Sequence, residues 1–270
     1  MLKDITFGQY FESASIIHKI DPRIKIVLMI AIIVLIFTSG NFFALFLSTF
    51  FIITTLLLSK VPFKMYIKNM KAILPVLIFT AIINLFYGEG ASLFPDIPVL
   101  SHITFEGLYR SVFMALRILL LIFVSSVLTY TTTPNDLTDA IERLLSPLKY
   151  LGLKNAVHTL AMMMTIALRF IPTLIEEAEK IMNAQKARGA DLESGGLVER
   201  VKALIPILIP LLISSVRRAS ELAEAMECRC YNGGEGKTRL KQMHLKKLDY
   251  LCLIVFVFYS FAVILTNIIF

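Results

Sequence analysis

The sequence predicts an all-α polytopic membrane protein. It has about five transmembrane helices, with a cytoplasmic or interfacial domain of long amphipathic helices between the fourth and fifth spans. Three observations carry the prediction. Of 270 residues, 57% are apolar and 17% charged, against about 25% charged in a soluble globular domain. The mean hydropathy is +0.75. Charged residues are absent from Ile26–Ser59, Ala72–Gly88, Ile118–Asn135 and Tyr250–Phe270, and a helix crosses a bilayer with about 20 mostly apolar residues. The same values exclude a disordered chain, a collagen-like chain and an ordinary cytosolic enzyme.

The turn-forming run Thr38-Ser39-Gly40-Asn41 divides the first stretch. Spans are therefore expected near 24–38, 42–58, 72–87, 107–130 and 249–270. The loops orient them. Lys19, Arg23 and Lys25 precede the first span, and Lys60, Lys64, Lys68 and Lys71 separate the second from the third. No Lys or Arg occurs in 38–41 or 88–107, where Glu89, Asp96 and Glu106 sit. The positive-inside rule places the N-terminus in the cytoplasm, and five spans leave the C-terminus outside. The net charge of +7 belongs to such loops, so nucleic acid is not an expected partner. Lys3, Asp4, Glu12, Lys19 and Asp21 fall where the apolar core of a signal peptide would lie, and no cleavable leader is expected.

The division that follows is 1–130 as a membrane domain of four spans, 131–248 as a cytoplasmic domain and 249–270 as the last span. The middle segment holds 17 of the 27 basic residues. Thr133-Pro134-Asn135-Asp136 opens a first helix there, with Leu137, Ile141, Leu144, Leu145 and Leu148 on one face. A second runs from about 154 to 187, apolar first (Leu160–Ile171) and charged later (Glu176, Glu177, Glu179, Lys180), with Gly189 as its stop. A third runs from about 197 to 227 with the same layout, ending through Arg217, Arg218, Glu221, Glu224 and Glu227. Arg169 and Pro172 interrupt the apolar part of one, and that of the other is short of a span. Both are read as interfacial helices rather than as two further spans, which would make seven.

The two long helices end alike. A shift of 41 residues superposes Arg188 on Arg229, Ala178 on Ala219 and Ala184 on Ala225, and sets Glu176-Glu177 against Arg217-Arg218. Each helix thus presents one arginine at its end. A guanidinium is a rigid fork of five donors that stays charged. The negative end of the helix dipole stabilises it, and it suits bidentate pairing with a partner's carboxylate.

On these residues the chain resembles the transmembrane T component of energy-coupling factor (ECF) transporters, the EcfT/CbiQ family. The resemblance rests on Ala187-Arg188-Gly189 and on the second arginine motif, Cys228-Arg229-Cys230. Asp21-Pro22-Arg23, Leu168-Arg169-Phe170-Ile171-Pro172 and Arg217-Arg218-Ala219 support it. It implies a non-catalytic scaffold in the plasma membrane of a prokaryote. Such a scaffold joins two ABC ATPases to one membrane-embedded substrate-binding S component for uptake of a micronutrient, a vitamin first. It also implies that Ala187, Arg188, Gly189, Cys228, Arg229 and Cys230 form two ATPase-docking tips, and that ATP and Mg are bound by the ATPases and no cofactor by this chain. In the second motif Cys228 and Cys230 replace the usual Ala and Gly. The glycine turn is expected to be lost there, with Gly233-Gly234 in its place.

Other constellations are weak. Three cysteines give no disulfide framework, and Cys228, Cys230 and His244 lack zinc-ligand spacing. Gly233–Thr238 is not a Walker A loop, since Tyr231 stands where its first glycine belongs. No His-Glu-x-x-His motif or other constellation supports an intramembrane enzyme. A stand-alone transporter would need polar or broken spans, for which Arg117 and Asn84 are the candidates. Arg117, about ten residues into the fourth span, is either functional, or else paired with backbone carbonyls or snorkelling. Lys237, Arg239, Lys241, Lys246 and Lys247, before the last span, are expected to meet anionic lipid.

Overall fold

The computed structural model describes residues 10–86, 104–147, 154–190, 196–231 and 244–269. The helices are α1 (Pro22–Thr38), α2 (Phe42–Ser59), α3 (Phe63–Phe86), α4 (Phe105–Thr131), α5 (Pro134–Leu145), α6 (Lys154–Ala187), α7 (Leu197–Cys228) and α8 (Lys247–Ile269). Among the described residues a 3-10 turn, Ile17–Lys19, precedes them. Among the described residues six helices are long and apolar enough to cross a membrane: α2, α3, α4, α6, α7 and α8. Helix α1, at 17 residues, is shorter, yet it packs along α4 and α8 as a member of the same bundle. Helix α3 begins nine residues before the expected span. Lysine is a good helix former, so the run Lys64–Lys71 supplies the first turns of the helix rather than a loop.

The chain divides into two compact units, one holding α1–α4 and α8, the other α5–α7. In the first, α4 is central and packs on α1, α2 and α3, while α8 packs on α2 and α1. Lipid is as apolar as leucine, so helices associate in it through close packing and polar contacts rather than through apolar burial. The contacts fit that rule. A Cβ on Gly107 would lie 2.6 Å from the Leu85 carbonyl oxygen, so only glycine lets α4 approach α3 so closely. Ser111 donates to the Ala81 carbonyl at 2.9 Å. Buried Tyr259 of α8 donates to Ser48 of α2 at 2.8 Å and stacks on Phe51. Ile36, Leu45, Ile52, Leu120 and Val124 fill the space between α1, α2 and α4.

Both ends of α8 are tied down. Asn267 accepts from the Gly40 N–H at 3.0 Å and donates to the Thr38 carbonyl at 2.9 Å, fixing the α1–α2 turn. At the other end Asp249, fully buried, accepts from the Asp21 N–H at 2.8 Å and the Lys246 N–H at 2.6 Å. Asp21 caps α1 by accepting from the Arg23 N–H, and its carboxylate also takes the Arg23 guanidinium at 2.8 Å. Buried Lys25 donates to the Thr131 carbonyl at 2.8 Å, where α4 ends. These three buried charges, Asp21, Lys25 and Asp249, thus meet hydrogen-bonding partners, as burial demands.

In the second unit α6 packs on α5 and α7. His158 of α6 lies 3.3 Å from Glu142 of α5. At 34 and 32 residues, α6 and α7 extend to about 50 Å each. Pro172, Pro206 and Pro210 stand inside them without ending either helix.

Candidate functional site: two arginine-bearing helix ends

The last turn of a helix leaves carbonyls without partners, and a left-handed residue beyond the cap lets two later N–H groups fold back on them. Helix α6 ends this way. Gly189 has φ +87°, its N–H donates to the Lys186 carbonyl at 3.0 Å, and the Ala190 N–H donates to that of Gln185 at 3.0 Å. Arg188 is therefore the cap residue. Helix α7 ends in the same motif. Cys230 has φ +54°, its N–H donates to the Glu227 carbonyl at 2.8 Å, and the Tyr231 N–H donates to that of Met226 at 3.0 Å. Arg229 is the cap residue here.

This corrects the expectation that the second tip loses its glycine turn. Cys230 itself takes the left-handed conformation, at a cost of about 1–2 kcal/mol for a residue with a Cβ. Gly233-Gly234 lie outside the described residues. Tyr231 also anchors the tip, its hydroxyl donating to the Met162 thioether on α6. Nothing in the sequence announced these two roles beyond the match of Cys230 to Gly189 at a shift of 41.

Ala187, Arg188 and Gly189 are exposed, as are Cys228, Arg229 and Cys230. Each arginine thus stands on an exposed helix end with its preceding turn closed, able to meet a carboxylate on another surface. Behind the tips, Glu177 of α6 binds α7 twice. It accepts from the Ser214 hydroxyl and pairs with Arg218 at 2.7 Å. The repeat had set Glu176-Glu177 against Arg217-Arg218, and only one pair of the two forms. Arg217 turns to Glu221 of its own helix at 3.9 Å. Beside Arg218 an apolar groove of about 310 Å³ opens between the helices, lined by Phe170, Leu174, Ala219, Leu222, Ala223 and Met226.

Arg117 belongs to the other unit. Its Nη2 donates to the Ser39 carbonyl at 2.5 Å, and the guanidinium lies 4.8 Å from the Phe113 ring centroid. Ser39 is the cap of α1, so the charge meets the negative end of that helix dipole. Its Nε is buried without a hydrogen-bond partner. Among the described residues no group of three or more His, Cys, Asp or Glu could hold a metal ion.

Fold and tips together define a multi-pass α-helical membrane protein with an appended pair of arginine-capped helices. Residues 13–240 match the CbiQ family, described as cobalt transport protein. An energy-coupling factor transporter transmembrane protein EcfT of Ruminiclostridium cellulolyticum is 50% identical over 93% of this chain and 92% of its own length. The EcfT of Clostridium kluyveri is 49% identical over 95% and 96%, and that of Thermosediminibacter oceani 46% over 92% of each. The chain belongs to the CbiQ/EcfT family of transmembrane energy-coupling transport components.

Proposed function

We propose that this chain is the non-catalytic coupling subunit of an ATP-driven importer. Arg188 and Arg229 each dock on one ABC ATPase subunit, and the pair of tips holds an ATPase dimer. ATP and Mg belong to those subunits. A membrane-embedded S component binds the substrate, a micronutrient of the vitamin class, beside the membrane helices. The chain lies in the plasma membrane of a prokaryote with its N-terminus cytoplasmic and its C-terminus outside. What supports the reading is the repetition of one arginine-capped helix end at the tips of α6 and α7. The names carried by its relatives favour the same role. Arg117 is proposed to hold the end of α1 on α4 while the bundle moves with its partners.

The test is co-expression of Arg188→Ala, Arg229→Ala and the double variant with the ATPases and S component, followed by pull-down and substrate uptake. Removing one partner of a partly buried charge pair costs about 2–5 kcal/mol, so each single variant should weaken ATPase retention or uptake. The double variant should be worse, because two docking sites act with avidity. Arg→Lys should rescue poorly, since an ammonium lacks the guanidinium fork. Full retention and full uptake in the double variant would overturn the docking role. Uptake by this chain alone in vesicles would establish a stand-alone transporter instead.

A further inference from the structure

Helix α3 carries a feature that the coupling role does not use. Lys64, Lys68 and Lys71 recur at spacings of four and three. At 100° per residue they fall within a sector of about 60°. Continuing up the helix, and widening the sector to about 80°, come Pro75, Phe79, Ile82 and Phe86. All seven residues are exposed, Phe79 at 65% and Ile82 at 49%. Helix α3 carries no Asp or Glu, and among the described residues none of the three lysines pairs with a carboxylate. Lys60, exposed in the α2–α3 turn, adds a fourth positive charge.

We propose that this face of α3 is a binding site for an anionic phospholipid. The lysines hold the headgroup phosphate and the apolar wall above them lies along an acyl chain. Lengths agree. The lysines span about 10 Å, the depth of a headgroup region, and the wall from Lys71 to Phe86 rises about 22 Å. That covers a leaflet's half of the roughly 30 Å hydrocarbon core. An acidic protein segment is the competing occupant. Lipid is favoured because the basic collar runs without a break into an exposed apolar face. Its width is that of one helix side, and within this chain α3 is packed chiefly on α4. The site is independent of the arginine tips, and a failure of docking would leave it untouched.

The experiment is native mass spectrometry of the purified full-length protein with equal amounts of phosphatidylglycerol and phosphatidylcholine. Wild type should retain phosphatidylglycerol preferentially, and the preference should fall as salt rises. Each juxtamembrane lysine strengthens binding about fivefold at low salt, so K64Q/K68Q/K71Q should lose at least about tenfold of the preference. K64R/K68R/K71R should keep it. No preference in wild type, or a preference insensitive to salt, overturns the proposal. So does a glutamine variant that binds like wild type, or one that loses both lipids alike. Loss of a co-purified acidic protein with the lipid preference intact would assign the face to that partner and overturn it too.

Discussion

Gly189 and Cys230 occupy the same position of the same helix-ending motif, 41 residues apart, with φ of +87° and +54°. One is a residue that adopts this conformation freely, the other a residue that resists it. A Cβ built on Gly189 meets nothing within 4 Å, so a substitution there is opposed by conformation alone. Gly189→Ala should loosen the α6 tip by about 1 kcal/mol. Exchange of the Ala190 amide, whose N–H closes the motif, should then quicken about fivefold. Cys230→Gly should do the reverse at Tyr231, by a few tenths of a kcal/mol to about 1, because glycine's freedom in the unfolded chain offsets part of the gain. Unchanged exchange at both amides would mean that the caps do not govern the tips.

The pairing of α6 with α7 is carried by Glu177, which meets both Arg218 and Ser214. Glu177→Lys should lower the unfolding midpoint of the purified protein, since it sets two cations against each other and leaves Ser214 without its acceptor. Adding Arg218→Glu should restore much of the loss. Arg217→Glu should need no compensation from α6, because Arg217 is 71% exposed and faces its own helix. A Glu177→Lys/Arg218→Glu double variant no more stable than Glu177→Lys would remove the pair from the crossing.

The long helices were legible because each passes from an apolar stretch into a run of helix-forming charged residues, despite Arg169 and Pro172 in one and Pro206 and Pro210 in the other, and α6 and α7 end within a residue of the reading. The arginine tips were legible as a repeat. What escaped has a common cause: the partner lies far along the chain or is a backbone atom. Asp249 grips the N–H of Asp21, 228 residues away; Asp21-Pro22-Arg23 is marked locally as a helix start, but nothing local marks Asp249 as its partner. Asn267 looks like one polar residue near the chain end, yet it holds the α1–α2 turn. Arg117 could be flagged as a charge in a span, but only the fold shows the Ser39 carbonyl beside it. Cys230 was misread because sequence patterns grant a left-handed turn to glycine and seldom to cysteine.

His18, ahead of α1, makes a pH-dependent contribution. Its ring donates from Nε2 to the Phe11 carbonyl at 2.8 Å and accepts at Nδ1 from the Ser15 hydroxyl at 2.6 Å. Burial, with the charge of Lys25, lowers its pKa below the ordinary 6.5, against the pull of the Phe11 carbonyl. The unfolded chain therefore takes up a proton that the folded chain declines. The stabilisation is full above about 6.5 and is lost as pH falls from there toward the lowered value. Asp21 acts in a separate window. Burial raises its pKa, but hydrogen bonds from Arg23 outweigh that and leave it below the ordinary 3.8, so its contribution is lost only in stronger acid. Unfolding midpoints from about pH 7.5 to about pH 5 should fall more steeply in wild type than in His18→Gln. Parallel slopes would exclude His18.

The side of the membrane reached by the α6 tip separates the two topologies that composition allows. Helices α6 and α7 are both apolar enough to cross. If they crossed as a hairpin they would add two spans and leave α8 oriented as before, so the C-terminus cannot discriminate. Nor can the α7 tip, which returns to the cytoplasmic side in either case. The α6 tip does discriminate. Interfacial helices put Arg188 and Arg229 on the same side, where two ATPases can reach them, whereas a crossing hairpin puts them on opposite sides. Asn183, exposed one turn before the tip, is the position to label. In a background with Cys228, Cys230 and Cys252 changed to Ser, Asn183→Cys should resist an impermeant maleimide on intact cells and react once the membrane is opened. Asn41→Cys, in the α1–α2 turn, should react from outside in the same background. The native Cys228 and Cys230, both exposed, should react only after opening. Labelling of Asn183→Cys from outside would place the two arginines on opposite faces, and docking of both on a cytoplasmic ATPase pair would then be impossible.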